Sequence, residues 1–205
     1  MVQRHGEMRF GPGALVFPGG KLDVEDRDPS WAAHLVSDLE LGSERRHLRI
    51  CAIRETFEET GVLLGRQEAG GQRVGATSNE ALRSKLIAGE LSFRQAVELQ
   101  GLQLDLGALT PFARWITPRD QPIRFDASFY IARAPDGQTA ICDGRETITA
   151  EWLTPMNALD LADAGRRKLM RPTRANLAIL AESSCVAHAM AAAKARVIQT
   201  VLQPD

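Results

Sequence analysis

The feature that most constrains the fold is an acidic segment, RETFEETGV, at residues 54–62. On a helix, successive side chains are separated by about 100°, so Glu55, Glu58 and Glu59 fall on one face at spacing i, i+3, i+4. Apolar side chains on the opposite face are expected to pack on the core: Ile50, Ile53 and Phe57. Gly61 is the residue type that ends a helix in the left-handed conformation. We therefore predict a core-packed helix with one acidic face.

The acidic face indicates a cation site. Three like charges on neighbouring turns repel one another, and a bound divalent cation relieves that repulsion through hard carboxylate oxygens. Arg54 lies one turn before Glu58 and is placed to hold its carboxylate. A solvated acidic surface is the other explanation of such a cluster, and the helix alone leaves it open.

A glycine-rich segment upstream gives the acidic helix a context. Phe17-Pro18-Gly19-Gly20 is the expected end of a strand, and glycine allows a backbone to approach a ligand closely. Asp26 follows Gly20 by six positions. Together these residues resemble the box of the Nudix family, G-x5-E-x7-R-E-U-x-E-E-x-G-U, in which U is apolar. Gly20 fills its first position, and its last part is filled by Arg54, Glu55, Glu58, Glu59, Gly61 and Val62.

The box departs from the family pattern at two points. Asp26 stands where the family has Glu, and Arg54 follows it by 28 positions instead of eight, so 20 residues are inserted. An interrupted box of this kind resembles a branch of the family that includes peroxisomal coenzyme A diphosphatases of animals. The similarity extends to the segments WITP, RFD and WLTP at residues 115–118, 124–126 and 152–155, and so covers roughly residues 1–155.

The resemblance implies an α/β fold, a Nudix αβα sandwich with a mixed β-sheet, in one domain over residues 1–205. Residues 27–47 would form an insertion within the box, residues 75–110 a helical insertion, and residues 172–205 the C-terminal helices. Hydrophobic patterning predicts strands and helices along the chain. The predicted strands are Ala14–Phe17, Phe125–Ala134 and Thr147–Leu153, and the predicted helices are Trp31–Leu41, His47–Thr60, Asn79–Leu109 and a tail from Pro172 to Leu202 broken near Ser183.

The resemblance also implies a reaction, the attack of water on a diphosphate phosphorus with Mg²⁺ or Mn²⁺ as cofactor. Glu58 and Glu59 are the first-choice metal ligands, the Gly20 carbonyl is another, and Glu55 is the base or a further ligand. Arg54 belongs to the same catalytic group. Glu146 is the expected carboxylate from outside the helix, with Asp126 and Glu151 as weaker candidates and a solvated charge as the alternative for Glu146.

The substrate prediction depends on two arginines. Coenzyme A-cleaving members of the family carry the signature LLTxR(S/A)x3Rx3Gx3FPGG, and Arg4, Arg9 and Gly13 keep its spacing before Phe17. His5 replaces the small residue, and residues 1–3 match LLT poorly. Two arginines suit a ligand with an extra phosphate. The residues expected to bind substrate are Arg4, Arg9, Gly19, Gly20 and Lys21, and ordinary surface arginines are the alternative.

Other functions remain open with less support. ADP-ribose or NADH could be the substrate, although no proline that would mark ADP-ribose enzymes lies between Pro29 and Pro111, and the NADH-type stretch SQPWPFPxS does not occur. Diadenosine polyphosphate enzymes have a tyrosine shortly after the box, and the only tyrosine here is Tyr130. A non-catalytic Nudix ligand-binding module is a further alternative, but loss of box glutamates would be expected for it, and Glu55, Glu58 and Glu59 are present.

Composition narrows the class of partner. The formal net charge is −1 and the pI about 6.4, whereas proteins that bind nucleic acid or anionic membranes usually have a basic excess. The three cysteines form no CxxC pair, so neither a zinc site nor a disulfide framework is indicated. We expect a cytoplasmic protein with a small-molecule nucleoside-diphosphate substrate, without nucleic-acid or membrane partners, and a homodimer is left open.

Overall fold

The computed structural model describes residues 1–36, 42–67, 79–120, 124–198 and 200–202. The chain divides into two compact units. Unit 1 comprises Met1–Ala108 and Ala134–Trp152, and unit 2 comprises Leu109–Arg133 and Leu153–Asp205.

The elements mix helices and strands in both units. In chain order the strands are β1 (Val2–Arg4), β2 (Ala14–Val16), β3 (Gly65–Gln67), β4 (Leu102–Leu104), β5 (Thr110–Ile116), β6 (Asp126–Ile131), β7 (Thr147–Ala150), β8 (Lys168–Leu169) and β9 (Thr200–Leu202). The α-helices are α1 (Ser43–Thr60), α2 (Asn79–Ile87), α3 (Phe93–Leu99), α4 (Pro155–Asp163), α5 (Arg171–Ala181) and α6 (Val186–Ala195). Short 3-10 helices occupy Glu25–Arg27, Pro29–His34 and Leu106–Ala108.

Unit 1 is built on β1. This strand pairs antiparallel with β2, where Val2 lies opposite Val16, and with β7, where Val2 lies opposite Ala150. Strands β3 and β4 form a separate antiparallel pair. Strands and helix α1 both contribute to the buried apolar core of unit 1, whose main members are Val2, Leu15, Ile50, Ile53, Phe57, Leu63 and Leu104. The apolar face predicted for the acidic helix is therefore in the core.

Helix α1 begins earlier than the predicted His47. It runs from Ser43, one turn sooner, and ends at Thr60 as expected. Gly61 has a φ of 71°, in the left-handed region, and its N–H donates to the Phe57 carbonyl at 2.8 Å. The glycine fixes the end of the helix two residues after the last box glutamate.

The insertion within the box has less helix than predicted. The structure forms a 3-10 helix over Pro29–His34 in place of the helix expected over Trp31–Leu41, and Leu35 is extended. The chain leaves the helix because the Val36 N–H donates to the Leu104 carbonyl at 3.0 Å, next to a bridge between Leu35 and Leu104. Residues 37–41, the last part of that predicted helix, lie outside the described residues.

Trp31 anchors the insertion locally. It is 1% exposed, its Nε1 donates to the Glu25 carbonyl at 2.9 Å, and its ring lies 5.7 Å from that of Phe93. Phe93 in turn lies 5.9 Å from Phe57 of α1, measured between ring centroids. The insertion is thus tied to the same helix that carries the glutamates.

The segment from Asn79 to Leu109, predicted to be helical, is helical over only part of its length. Helices α2 and α3 are separated by a turn at Gly89, which has a φ of 73°, and α3 begins at a capping box formed by Ser92 and Gln95. The helical prediction is wrong over Leu102–Leu104, where β4 pairs with β3 and places alternate leucines in the core. Residues 75–78 of the predicted helical insertion lie outside the described residues.

Unit 2 contains a three-stranded sheet in the order β6–β5–β9. Strands β5 and β6 are antiparallel and β9 is parallel to β5, with Arg114 opposite Thr200. The predicted helical tail is confirmed in α5 and α6, which are interrupted close to Ser183, but it is wrong over Thr200–Leu202. Those residues adopt the strand β9 because they gain hydrogen bonds from the exposed edge of β5. Along the described parts of the chain, no helix has both the length and the apolar character needed to cross a bilayer.

The Trp31 anchor generates a stability prediction. Replacing Trp31 with alanine should lower the free energy of unfolding by roughly 3–5 kcal/mol, because a large buried ring is lost and the cavity stays partly open. Trp152 is 70% exposed, so Trp152→Ala is the matched control and should change stability by no more than about 0.5 kcal/mol. Urea denaturation measures both, and equal losses would contradict the placement of Trp31.

Candidate active site

The acidic face of α1 lies against the glycine loop that follows β2. The Gly19 N–H donates to Glu59 Oε2 at 3.1 Å. A Cβ on Gly20 would overlap the carboxylate of Glu55, so a side chain at this position would displace that carboxylate. The two halves of the interrupted box are therefore in direct contact.

Arg54 holds this arrangement together. Its Nε and Nη2 donate to the two oxygens of Asp26 at 2.9 and 3.0 Å, and Nη2 also donates to the Lys21 carbonyl at 2.9 Å. Its Nη1 donates to Glu55 Oε1 at 2.9 Å and lies 3.2 Å from Glu58 Oε2. One guanidinium thus links the loop, the insertion and the acidic helix.

Asp26 is the buried partner of that guanidinium. It is 1% exposed, and its second oxygen also accepts from the Asp23 N–H at 2.8 Å. Burial by itself would lower the pKa of Arg54, but the hydrogen bond to Asp26 and the charges of Asp26, Glu55 and Glu58 outweigh it and raise that pKa. Arg54 is consequently charged at every working pH, and the aspartate that stands in the family's glutamate position completes the pair.

When ionised, the three glutamates together carry more negative charge than the single positive charge of Arg54 can neutralise. Burial raises the pKa of Glu55 to about 6, although the Arg54 charge opposes the shift, and burial likewise raises the pKa of Glu58. For Glu59 burial raises the pKa to about 8, and the Gly19 N–H and the Arg4 charge act against this shift. Glu59 is therefore the box glutamate with the most strongly raised pKa.

Two predicted site residues outside the helix lie within electrostatic range of it. The charge of Glu146, which is exposed just before β7, adds to burial in raising the pKa of Glu55, Glu58 and Glu59. Its backbone is fixed by the His5 N–H, which donates to the Glu146 carbonyl at 2.8 Å.

Arg4, at the end of β1, is placed near Glu59. Its positive charge is one of the influences that hold down the burial-raised pKa of that carboxyl. Its Nε is buried and has no hydrogen-bond partner within the part of the chain that the structure describes. A cationic group near the acidic face therefore retains an unused donor.

The other predicted residues have surroundings of their own. Arg9 is exposed in the loop between β1 and β2 and has no hydrogen bond or ion pair to any described residue. The Lys21 side chain is exposed, and its contribution is the carbonyl bound by Arg54. Asp126 belongs to unit 2, where Arg114 binds both of its oxygens at 2.8 and 2.6 Å. Glu151 follows β7, and its carboxylate accepts from the Thr149 hydroxyl at 3.2 Å.

Sequence reasoning missed Arg83. Its Nε donates to the Glu58 carbonyl at 2.8 Å, at the end of the helix that carries the box glutamates. On α2 it looks like any charged residue of a surface helix, and no motif marks it. Its burial, with 6% of the residue exposed, is the signal that only the structure supplies.

The glutamates of α1 are the kind of ligand that binds a divalent cation, but their side chains are not arranged around a common point. Within the described ranges, no three Asp, Glu, His or Cys side chains converge as they stand to hold an ion. Glu55 and Glu58 are turned toward Arg54, and Glu59 accepts from the loop. Their buried oxygens are nevertheless the ligands a hard cation prefers, and their raised pKa values reflect charge that a cation would offset. Loading the site requires rotation of glutamate side chains.

Comparison with known proteins identifies the family. The model of the NUDT19 Nudix domain matches residues 41–173. The chain belongs to the Nudix family. A crystal structure of a Nudix hydrolase from Alicyclobacillus acidocaldarius superimposes with a TM-score of 0.78 and 28% identity, covering 93% of this chain and 86% of that one. The expected α/β Nudix fold is confirmed.

Curated relatives agree with this assignment. A protein named putative nudix hydrolase 7 of Caenorhabditis elegans is 29% identical over 174 residues, covering 84% of this chain and 52% of its own length. The human protein named acyl-coenzyme A diphosphatase NUDT19 is 27% identical over 204 residues, covering 78% of this chain and 54% of its own length. The chain thus spans about half the length of these relatives.

The Glu59 environment generates a pH prediction for the metal-free protein. Its pKa is raised in the folded state, so its contribution to stability is complete below the ordinary value of 4.5 and is lost as pH rises toward about 8. Glu59→Gln stays neutral, so its stability relative to the wild type should increase across that window, by more than about 1 kcal/mol.

Chemical denaturation in EDTA at pH 5 and pH 8 measures the Glu59 effect. Glu44→Gln is the matched control on the same helix, since the Glu44 side chain is 65% exposed, and its difference from the wild type should not vary with pH. A Glu59→Gln difference that is equally flat would contradict the burial of an uncompensated carboxylate.

Proposed function

We propose that this Nudix chain is a diphosphatase that cleaves coenzyme A or acyl-coenzyme A at the diphosphate. The products would be 3′,5′-ADP and phosphopantetheine or its acyl ester. The observation that carries the proposal is the buried acidic face of α1, held by Arg54 against the Gly19-Gly20 loop with Arg4 beside Glu59.

The donor set supports Mg²⁺ or Mn²⁺ as the cofactor. Glu58 and Glu59 would be the first ligands, with the Gly20 carbonyl and Glu55 as further ones. When bound, the ion would neutralise phosphate oxygens and lower the pKa of a bound water. The same Gly19 N–H and Arg54 guanidinium that now hold the glutamates would then orient them toward the cation.

Glu55 is the residue best suited to accept a proton from water. Burial raises its pKa to about 6, close to neutral pH, where a general base is most effective. Arg54 fixes its carboxylate by the hydrogen bond to Oε1. Glu146, exposed and within electrostatic range, would contribute a carboxylate from outside the helix.

Arg4 supports the choice of a multiply phosphorylated substrate. Its buried Nε lacks an acceptor in the described structure, and a phosphate oxygen would supply one. The spacing of Arg4 and Arg9 before FPGG matches the coenzyme A signature, and three of the relatives are named acyl-coenzyme A diphosphatase. Arg9 is exposed, so its contact with substrate would be made at the surface of the protein.

Two alternatives to coenzyme A hydrolysis are distinguished by one experiment. ADP-ribose or NADH would use the same acidic face, and no contact of the described residues favours either. A non-catalytic ligand-binding module would not need Glu55, Glu58 and Glu59 gathered in a buried cluster. Mass spectrometry of products from a panel of coenzyme A, ADP-ribose and NADH with Mg²⁺ separates the three, and turnover of the last two alone would refute the coenzyme A proposal.

The metal face is tested by two substitutions. Glu58→Gln and Glu59→Gln should each lower kcat by at least about 100-fold, or roughly 2.7 kcal/mol of barrier, because each removes a charged ligand. Folding should survive, since repulsion between like charges is reduced. Glu44→Gln on the same helix should keep wild-type activity, and wild-type kcat in both site variants would refute the assignment.

The ribose phosphate is tested by comparing coenzyme A with dephospho-coenzyme A. Charge-assisted hydrogen bonds worth about 1.5–3 kcal/mol predict a kcat/KM for dephospho-coenzyme A lower by roughly ten- to a hundredfold. Arg4→Ala or Arg9→Ala should narrow that gap and affect dephospho-coenzyme A less. Arg27→Ala, in the insertion and paired with Glu44, is the matched control and should leave the gap unchanged. Equal use of both substrates by the wild type would count against recognition of this phosphate.

A further inference from the structure

The C-terminal end of α1 is held by groups from outside the box. The last carbonyls of a helix lack partners within it and need donors from elsewhere. The Glu58 carbonyl accepts from Arg83 Nε at 2.8 Å, and the Thr60 carbonyl accepts from the Ile141 N–H at 2.9 Å. The Thr147 hydroxyl lies 3.4 Å from the Glu59 carbonyl, although its shorter contact, at 2.6 Å, is to Asp143. The last turn therefore has external donors on the Glu58 and Thr60 carbonyls.

Arg83 is the charged member of this group. It lies on α2 with 6% of the residue exposed, and its Nη2 is buried without a hydrogen-bond partner among the described residues. Burial lowers the pKa of Arg83, and the negative charges of Asp143, Glu80 and Glu59 oppose the shift. A buried cation is thus kept at a helix C-terminus, where the helix dipole favours positive charge.

The contact acts on the peptide that joins two candidate metal ligands. The carbonyl bound by Arg83 belongs to Glu58, and the peptide that contains it continues directly to Glu59. The tilt of this peptide sets the direction of both Cα–Cβ bonds. A shift of this turn would move the two carboxylates together, and ligands displaced by even a fraction of an ångström bind a cation less well.

We propose that Arg83 is a positioning residue that fixes the last turn of α1 so that Glu58 and Glu59 are held ready for a divalent cation. The inference rests on the proposed function, because it assumes that the acidic face binds metal. Arg83 itself touches neither substrate nor cation in this proposal; it acts through the backbone of the ligands.

The test compares Arg83→Met and Arg83→Lys with Arg145→Met. Arg145 is a matched control because its Nη1 also donates to a helix-terminal carbonyl, that of Ile87 at 3.2 Å, and it is exposed. The dissociation constant for Mn²⁺ is measured by electron paramagnetic resonance on the whole chain, with kcat, KM and thermal unfolding alongside. Arg83→Met should weaken Mn²⁺ binding about tenfold or more and lower kcat with little change in KM. Arg83→Lys should recover part of the affinity, and Arg145→Met should bind Mn²⁺ as the wild type does.

The outcomes separate this inference from the proposed function. If folded Arg83→Met binds Mn²⁺ within twofold of the wild type and only unfolds at a lower temperature, Arg83 is merely structural and the proposal is overturned. If Arg83→Met does not fold, Arg83→Gln decides by the same criterion. If the wild type binds Mn²⁺ but cleaves no diphosphate, the proposed function fails while the Mn²⁺ comparison still decides the role of Arg83. A wild type that binds no Mn²⁺ overturns both.

Discussion

The ion pair between Arg54 and Asp26 is the interaction on which the site depends. It joins the helix that carries the box glutamates to a residue 28 positions earlier, and both partners are almost fully buried. The same guanidinium also binds the Lys21 carbonyl and the Glu55 carboxylate. Removing one partner of a buried pair typically costs 3–5 kcal/mol, because the other charge is left without compensation. Together with the hydrogen bond from the Gly19 N–H to Glu59, these contacts hold the glycine loop against the acidic face.

The Arg54–Asp26 pair does not neutralise all of the negative charge on the acidic face. Arg54 compensates Glu55 and Glu58, whereas Glu59 has the Gly19 N–H and the charges of Arg4 and Arg83, and its pKa is still raised to about 8. A protein selected for stability alone would not bury carboxylates in this way. Sites that depart from the rules of stable packing are commonly those that bind or react. The uneven compensation leaves negative charge on this face that a bound cation would offset.

Sequence patterns predicted the parts of the fold that depend on local residues. Helix α1 follows from the 3.6-residue period of Ile50, Ile53 and Phe57 and from Gly61, and all four behave as predicted. What local patterns could not supply is the pairing of distant segments. Leu102–Leu104 has a composition that suits a helix and is a strand because it pairs with β3. Thr200–Leu202 contains two β-branched residues, which favour a strand, and it pairs with β5.

The same limit applies to the site. Arg83 is one charged residue among several on a short helix, and its role depends on the approach of α2 to the end of α1. The sequence patterns did not predict strand β5. Its residues Phe112 and Trp115 are buried in the structure. The sequence also gave equal weight to Arg4 and Arg9, and the structure separates them: one lies near Glu59, and the other is exposed in a loop.

The interruption of the box has a consequence for chain entropy. Closing a flexible loop costs free energy that grows only with the logarithm of its length, so separating the two halves by 28 positions instead of eight costs about 1 kcal/mol more. Burial of a side chain the size of Trp31 offsets more than this. The number of residues between the halves therefore has a small effect on stability, whereas their contact in space is required. A segment at this point in the chain could lengthen, shorten or acquire surface chemistry of its own with little effect on the catalytic helix, provided that Asp26 still reaches Arg54.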